Sequence, residues 1–356
     1  MQNILQCYYS KMGKDFVNAF NEIITAMMSC GSSSGGVIAN QMSKLNNKSF
    51  KTNDMRLHRF FKSNNFQINE KFWRMHINLL FDILLDHKII DQNNPLDVLV
   101  DFTTSCDNFL IMMASIIIDN KAICLYFTSR VYPRRKNRMD YKKMESSFIK
   151  GLRQVLSKKF QYRIVADRGF GNQRFINLCQ ENNFEYVIRI NKNLRIKDSQ
   201  NNQKNLQEFD QTNHKNLELY VNIWDQNIII ETTTNNDSTW FLVKSSSELN
   251  GKEIYKKRFK IEKLFQDSKS SGFNIEENKI KKYDRFKRML YCCHLSHLFL
   301  TLLGNFISDK KNDQDNLKKN FYPNFKNISV YLPSVLEQLP ISTLNLWTSS
   351  PNKYFE

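Results

Sequence analysis

Apolar positions recur at helical spacing through the opening part of the chain. Phe16, Phe20, Ile23, Ile24 and Met27 fall on one side of a helix, and a polar stretch rich in Gly and Ser interrupts the pattern at Ser32–Gly36. Lys51, Arg56, His58, Arg59 and Lys62 then interleave with Phe60 and Phe61. Glu70–His87 predicts an amphipathic helix with Trp73, Ile77, Leu80, Ile83 and Leu84 on one side. The pattern changes after Pro95. Asp97–Phe102, Asn108–Ile118 and Lys121–Thr128 read as three strands, with a turn at Asp119-Asn120 between the last two. A helix is predicted over Asp140–Lys158, with Met144, Phe148, Leu152 and Val155 on one stripe. Strand Tyr162–Ala166, helix Asn172–Asn182 and strand Glu185–Ile190 follow. Residues 192–215, rich in Asn, Gln and Lys, read as surface loop. Strand character resumes at Leu217–Val221, Asn227–Thr233 and Thr239–Lys244.

Three hairpin-linked strands followed by helix, strand, helix and strand predict an α/β fold: a ribonuclease H-like core with a mixed sheet covered on its faces. The domains expected are a helical DNA-binding domain at 1–95, a catalytic domain at 96–191 and 251–305, and a β-rich insertion at 192–250. A C-terminal tail at 306–356 is expected to serve dimerisation or DNA contact. A chain of 356 residues is long enough for two or three such units.

Charge narrows the partners. Lys and Arg number 52 against 35 Asp and Glu, a formal net charge of +17 that attracts polyanions. The short basic and aromatic helices of the first 95 residues suit DNA binding, and equally suit a plain bundle with a solvated basic face. The longest apolar runs, Phe109–Ile118 and Met289–Leu303, predict no membrane span: the first is too short, and the second carries His294 and His297. No signal-peptide pattern follows Lys11 and Lys14, so a cytoplasmic location is expected. Seven cysteines without CxxC spacing read as reduced, mostly buried thiols. The run Cys292-Cys293-His294-Leu295-Ser296-His297 lies in an apolar helical stretch and is expected to pack in the core rather than bind zinc.

Two carboxylates stand at strand ends. Asp101 ends the first strand and Asp167 follows the fourth, strands that the expected topology makes neighbours. Two close carboxylates repel unless a cation offsets them. Gly169 and Gly171 are expected to let the chain turn sharply after Asp167. The stretch Tyr255–Lys269 reads as one helix. At about 100° per residue, Tyr255, Arg258, Glu262 and Lys269 fall within roughly 60° of one another. Glu262 is then a third candidate ligand, and Tyr255, Arg258 and Lys269 are candidates to grip phosphates. An ordinary solvated charged face would look the same.

The spacing Tyr255-x2-Arg258-x3-Glu262-x6-Lys269 resembles the Y-R-E-K signature of bacterial insertion-sequence transposases of the insertion-sequence-four type. Asp101-Phe102-Thr103 and Asp167-Arg168-Gly169-Phe170 resemble that family's two Asp motifs, and Val187–Lys192 resembles the strand that follows. The resemblance runs from about residue 95 to 305. It implies that Asp101, Asp167 and Glu262 hold two Mg2+ (or Mn2+) ions. It also implies a β insertion before Glu262 and cut-and-paste chemistry through hairpin DNA ends. The implied partners are double-stranded DNA, both terminal inverted repeats and target, and a second copy of the chain in a homodimeric end complex. Tyr255, Arg258, Lys269 and Arg168 are expected on the DNA, and Trp240 or Trp224 is expected to stack on a base near the cut. Two alternatives stand beside this reading: a ribonuclease H-like nuclease without strand transfer, and an inactive DNA-binding descendant.

Overall fold

A computed structural model of the chain describes residues 1–86, 94–106, 108–118, 120–132, 141–197, 203–209, 217–224, 226–235, 238–278 and 280–310. Most of the expected tail, and Asp119 of the expected turn, lie outside the described residues.

The opening segment is helical, as its periodicity predicts: α1 (Gln2–Tyr9), α2 (Lys14–Cys30), α3 (Gly35–Asn46), α4 (Phe50–Lys62) and α5 (Glu70–Asp86). α2 ends where Gly31 takes a left-handed conformation, φ 56°, and its N–H closes on the Met27 carbonyl. α3 ends the same way at Asn47, φ 56°. Three residues later α4 begins, its Ser49 cap accepting the Thr52 N–H. The buried face of α2, with Val17, Phe20, Ile24 and Met27, meets Tyr9, Phe60, Phe66 and Phe72 in an aromatic cluster.

The strands are β1 (Leu96–Ser105), β2 (Phe109–Ile118), β3 (Lys121–Val131), β4 (Tyr162–Ala166) and β5 (Glu185–Arg189), with α6 (Tyr141–Val155) before β4 and α7 (Gln173–Glu181) before β5. β1 pairs antiparallel with β2 and parallel with β4, where Val100 faces Ala166. Val98, Leu99, Val100 and all of β4 are buried, because helices cover both faces of this part of the sheet.

The region after β5 departs from the expected loop. Short strands β6 (Arg195–Lys197) and β7 (Gln203–Asn205) stand there, followed by β8 (Glu218–Ile223), β9 (Gln226–Asn235) and β10 (Ser238–Lys244). These strands do not form a separate layer. β10 pairs antiparallel with β5, giving one ten-stranded sheet in the order β3-β2-β1-β4-β5-β10-β9-β8-β6-β7. Polar composition and a length of three residues each hid β6 and β7, which bury little beyond Ile196.

The expected helix at 255–269 is irregular. α8 (Gly251–Lys256) and α9 (Phe259–Gln266) are joined through Lys257-Arg258, both in helical conformation but tightened to bonds between residues three apart, and Asp267–Ser271 forms a π-helical turn. α10 (Tyr283–Lys310) follows and packs against α2 and β3. Among the described residues no helix is long and apolar enough to cross a membrane. Cys292, Cys293, His294 and His297 are buried inside α10, and neither ring nitrogen of His294 has a hydrogen-bond partner among the described residues. This is core packing.

Burial holds His294 and His297 down at about 3 and His76 at about 4, against 6.5 in the unfolded chain. All three stay neutral when folded and take up protons only on unfolding. Stability is therefore expected to fall as pH drops from about 6.5 towards 4, by up to about 1.4 kcal/mol per pH unit for each histidine. His294→Leu removes one of the three and should lessen the fall of unfolding free energy over that range, read by urea unfolding, by up to about 1.4 kcal/mol per pH unit. An unchanged slope would show that these histidines do not govern the response.

Candidate active site

The β1–β4 ladder runs out at Val100 and Ala166. The next residue in each segment is an aspartate, Asp101 within β1, which runs on to Ser105 against β2 and does not end there as expected, and Asp167 just past β4; parallel pairing delivers both to the same end of the ladder. Two stacked rings tie the adjoining segments together: Phe102 and Phe170 lie 5.0 Å apart with 6° between their planes. Sequence reasoning missed this pair, although each Asp motif carries its phenylalanine close behind the acid.

Asp101 accepts the Phe102 N–H at 2.7 Å, and Asp167 accepts the Gly169 N–H at 2.8 Å. The chain turns sharply after Asp167, the Phe170 N–H closing on the Asp167 carbonyl and the Gly171 N–H on the Arg168 carbonyl, with no positive φ at either glycine. A Cβ on Gly171 would stand 2.5 Å from the Arg189 carbonyl and 2.9 Å from the Ile190 Cα, so Gly171 permits close approach to the end of β5.

Glu262, on α9, is linked to Asp101 through Arg258. The guanidinium donates through Nη1 to Asp101 at 2.9 Å and through Nη2 to Glu262 at 2.5 Å. Arg258 is buried, at 7% exposure, and its Nε has no partner among the described residues. Burial, then the neighbouring Asp167 carboxylate, pushes Asp101 up to about 6; Arg258 and the Phe102 N–H pull it back, and Glu262 adds to the push. The pocket thus holds more negative charge than Arg258 offsets.

The other expected residues separate. Tyr255 is buried at 1% exposure and packs edge-on against Trp240, ring centroids 5.0 Å apart. Trp240 is itself only 3% exposed, beneath the Arg189 guanidinium at 5.7 Å. Its neighbour Phe259 is 41% exposed, with Arg258 4.9 Å from its ring centroid. Phe259 is therefore the exposed ring at this place, which the motif spacing did not single out. Lys269 sits in the π-helical turn, 3.8 Å from Glu276, away from Arg258 and Glu262 in its pairing. Arg168 is exposed beside Asp167. Trp224 has a positive φ of 54°, and its carbonyl accepts from Gln173.

The donor set of Asp101, Asp167 and Glu262 is oxygen only, which fits a hard divalent cation such as Mg2+. The charge excess at Asp101 supports that fit. As the side chains stand, no three acidic, His or Cys groups among the described residues converge closely enough to hold an ion. Arg258 takes up the Asp101–Glu262 pair instead.

Because Asp101 titrates near 6 when folded and near 3.8 when unfolded, its charge costs stability above about pH 6. That cost fades as pH falls through this window. Asp101→Asn is expected to raise the metal-free Tm by a few degrees at about pH 8, with the gain gone near pH 4. Thermal melts in a chelator check this, and a lower Tm at the alkaline end would contradict it.

Compared with known proteins, the chain matches a family model described as the transposase DDE domain over residues 116–299. The matched span includes Asp167 and Glu262 and begins after Asp101. No curated protein matches the chain. Since the match covers more than half of the 356 residues, the chain belongs to the transposase DDE domain family.

Proposed function

We propose that this protein cuts DNA at the ends of a transposable element and joins those ends to target DNA, with Asp101, Asp167 and Glu262 as its catalytic acids. One observation carries the reading. The parallel β1–β4 ladder stops beside Asp101 and Asp167, and Glu262 reaches the first of them through a single shared guanidinium. The strand order β3-β2-β1-β4-β5 supports a ribonuclease H-like core. The Y-R-E-K spacing supports the insertion-sequence-four type, and with it hairpin ends, a homodimer on paired terminal repeats, and action on DNA in the bacterial cytosol. The division into a helical DNA-binding part at 1–95, an insertion at 192–250 and a tail at 306–356 is part of the same proposal.

Asp101, Asp167 and Glu262 would hold the divalent ions. Bound there, two such ions lower the pKa of water or of a 3′-hydroxyl and stabilise the leaving oxygen. The chain's own residues supply the rest. The Phe102 and Gly169 N–H groups aim the two aspartates. Arg258 offsets their charge in the protein alone, and it can engage a DNA phosphate once it turns from Glu262. Its planar fork suits a phosphate in a way an ammonium does not. Lys269 and Arg168 would contact flanking phosphates. Tyr255 and Trp240, both buried, would support the exposed Phe259 rather than touch a base themselves. Trp224 lies on the β8–β9 hairpin.

Asp101→Ala, Asp167→Ala and Glu262→Ala are each expected to abolish Mg2+-dependent strand cleavage while leaving DNA binding in place. Near-normal cleavage by any one variant would remove that residue from the catalytic set. Detection of cut ends joined to a second DNA separates the transposase from a plain nuclease.

Phe259→Ala is expected to lower stacking of a fluorescent base analogue at the cut end, and the hairpin yield, by about tenfold or more. Trp224→Ala should change neither. If Trp224→Ala has the larger effect, the base docks on the β8–β9 hairpin instead.

A further inference from the structure

We propose that α4 is the helix that reads duplex DNA, lying in the major groove as the second helix of a helix-turn-helix. This rests on the DNA-cutting reading above and adds the element that recognises sequence.

α3 and α4 are joined by only three residues, Asn47-Lys48-Ser49. Asn47 takes the left-handed conformation that ends α3, and the Ser49 hydroxyl caps α4. A buried polar network fixes the angle between the helices. Asn53, fully buried, donates to Ser43 at 3.1 Å and to Asn46 at 3.0 Å. Arg56 makes a two-pronged contact to Glu22 on α2, at 2.6 and 2.9 Å. These contacts leave α4 with one buried stripe, Asn53, Leu57, Phe60 and Phe61.

The opposite stripe is Lys51, Met55, His58, Arg59 and Lys62, all exposed. At about 100° per residue they fall within roughly 100° of one another. Three full cations lie on this stripe, and Asp54 beside it is the one acid of the helix. Arg285 of α10 comes within 3.4 Å of His58 and extends the basic surface. Met55, 46% exposed amid these charges, is an apolar group of the kind that meets a thymine methyl. Basic groups at the edges for phosphates, with Arg59 and Met55 between them for base edges, match a duplex groove. An α-helix has the width that the major groove admits.

α4 is also held in register with the candidate active site. Arg288 of α10 donates to the Phe61 carbonyl at 2.7 Å, and Lys287 donates to the Ile68 carbonyl at 2.8 Å. α10 follows α9, which carries Glu262. A base sequence read by α4 would therefore be set at a fixed offset from the acids.

Selection of binders from a pool of random-sequence duplexes, using the full-length protein in chelator, tests the proposal. Wild type is expected to yield a consensus, and Arg59→Ala with Met55→Ala to cut preference for it over shuffled DNA by about tenfold or more. Circular dichroism should be unchanged, because both residues are exposed. Metal-dependent nicking of plasmid DNA by the same variant should persist. An unaltered consensus in the double variant, or no consensus from wild type, overturns the assignment of α4 while leaving cleavage standing. A consensus without any nicking by wild type would instead sink the catalytic reading and leave α4 as the reader. Loss of binding to phosphatidylserine vesicles with DNA preference intact would show a lipid-facing helix, and also overturns the proposal.

Discussion

The parallel pairing of β1 with β4 is the constraint on which the candidate site depends. Each strand is apolar over its last three paired residues, Val98–Val100 and Ile164–Ala166, and the charged Asp97–Arg163 pair earlier in the ladder is held by its ion pair. Beyond that apolar stretch, the next carboxylates stand where the ladder stops. Parallel direction makes that position the same on both strands, so Asp101 and Asp167 emerge together. An antiparallel neighbour would have put the second acid at the opposite edge.

Burying Asp101 and setting Asp167 beside it has a cost, visible in Asp101 being pushed up to about 6. Arg258 offsets part of it, and the placement of Arg258 is set from the far side of the sheet. Glu231 on β9 accepts the N–H groups of Gly251 at 2.7 Å and Lys252 at 2.9 Å, fixing the start of α8. A Cβ on Gly251 would stand 2.7 Å from that carboxylate. Glu231 also pairs with Lys244 on β10, which is buried and pairs with Glu218 on β8. The strands at 218–244 thus hold the segment that presents Arg258 and Glu262. Joined to the sheet through β5 and β10, they form a rigid extension that positions α8.

The strands and helices with strong periodicity were legible in the sequence, as was the adjacency of the strands that carry Asp101 and precede Asp167; β1 runs past Asp101 to Ser105, so that acid lies within its strand and not at the strand end expected. Membership of the transposase DDE domain family agrees with the reading of the chain as a DDE transposase. What was not legible has a common cause. The tightened turn at Lys257-Arg258 lies in a run with no Gly or Pro, so propensity alone predicts a regular α-helix. Tertiary demand overrides it: Arg258 must reach Asp101 while Tyr255 packs beneath Trp240. Helical-wheel arithmetic placed Lys269 beside Glu262 for the same reason, and the π-helical turn carries it towards Glu276. Short polar strands such as β6 and β7 escape any reading based on buried faces.

Packing does not follow the boundary that composition suggests near residue 95. Tyr291 of α10 shows why. The Tyr9 hydroxyl of α1 lies 2.5 Å from the Tyr291 hydroxyl, which lies 3.0 Å from His76 Nδ1 of α5. His76 Nε2 is 3.2 Å from the Cys124 carbonyl of β3. That carbonyl can only accept, so Nε2 carries the proton and Nδ1 accepts from Tyr291, which in turn accepts from Tyr9. The chain of bonds has one direction and requires neutral His76, consistent with burial holding that ring at about 4. It joins two N-terminal helices to the edge strand of the sheet through the helix that follows the candidate active site. The phenylalanines around it belong to the same hydrophobic core, so the N-terminal helices have no separate core to fold upon. In a DNA-cutting enzyme such fusion fixes the distance between a DNA-reading surface and the acids.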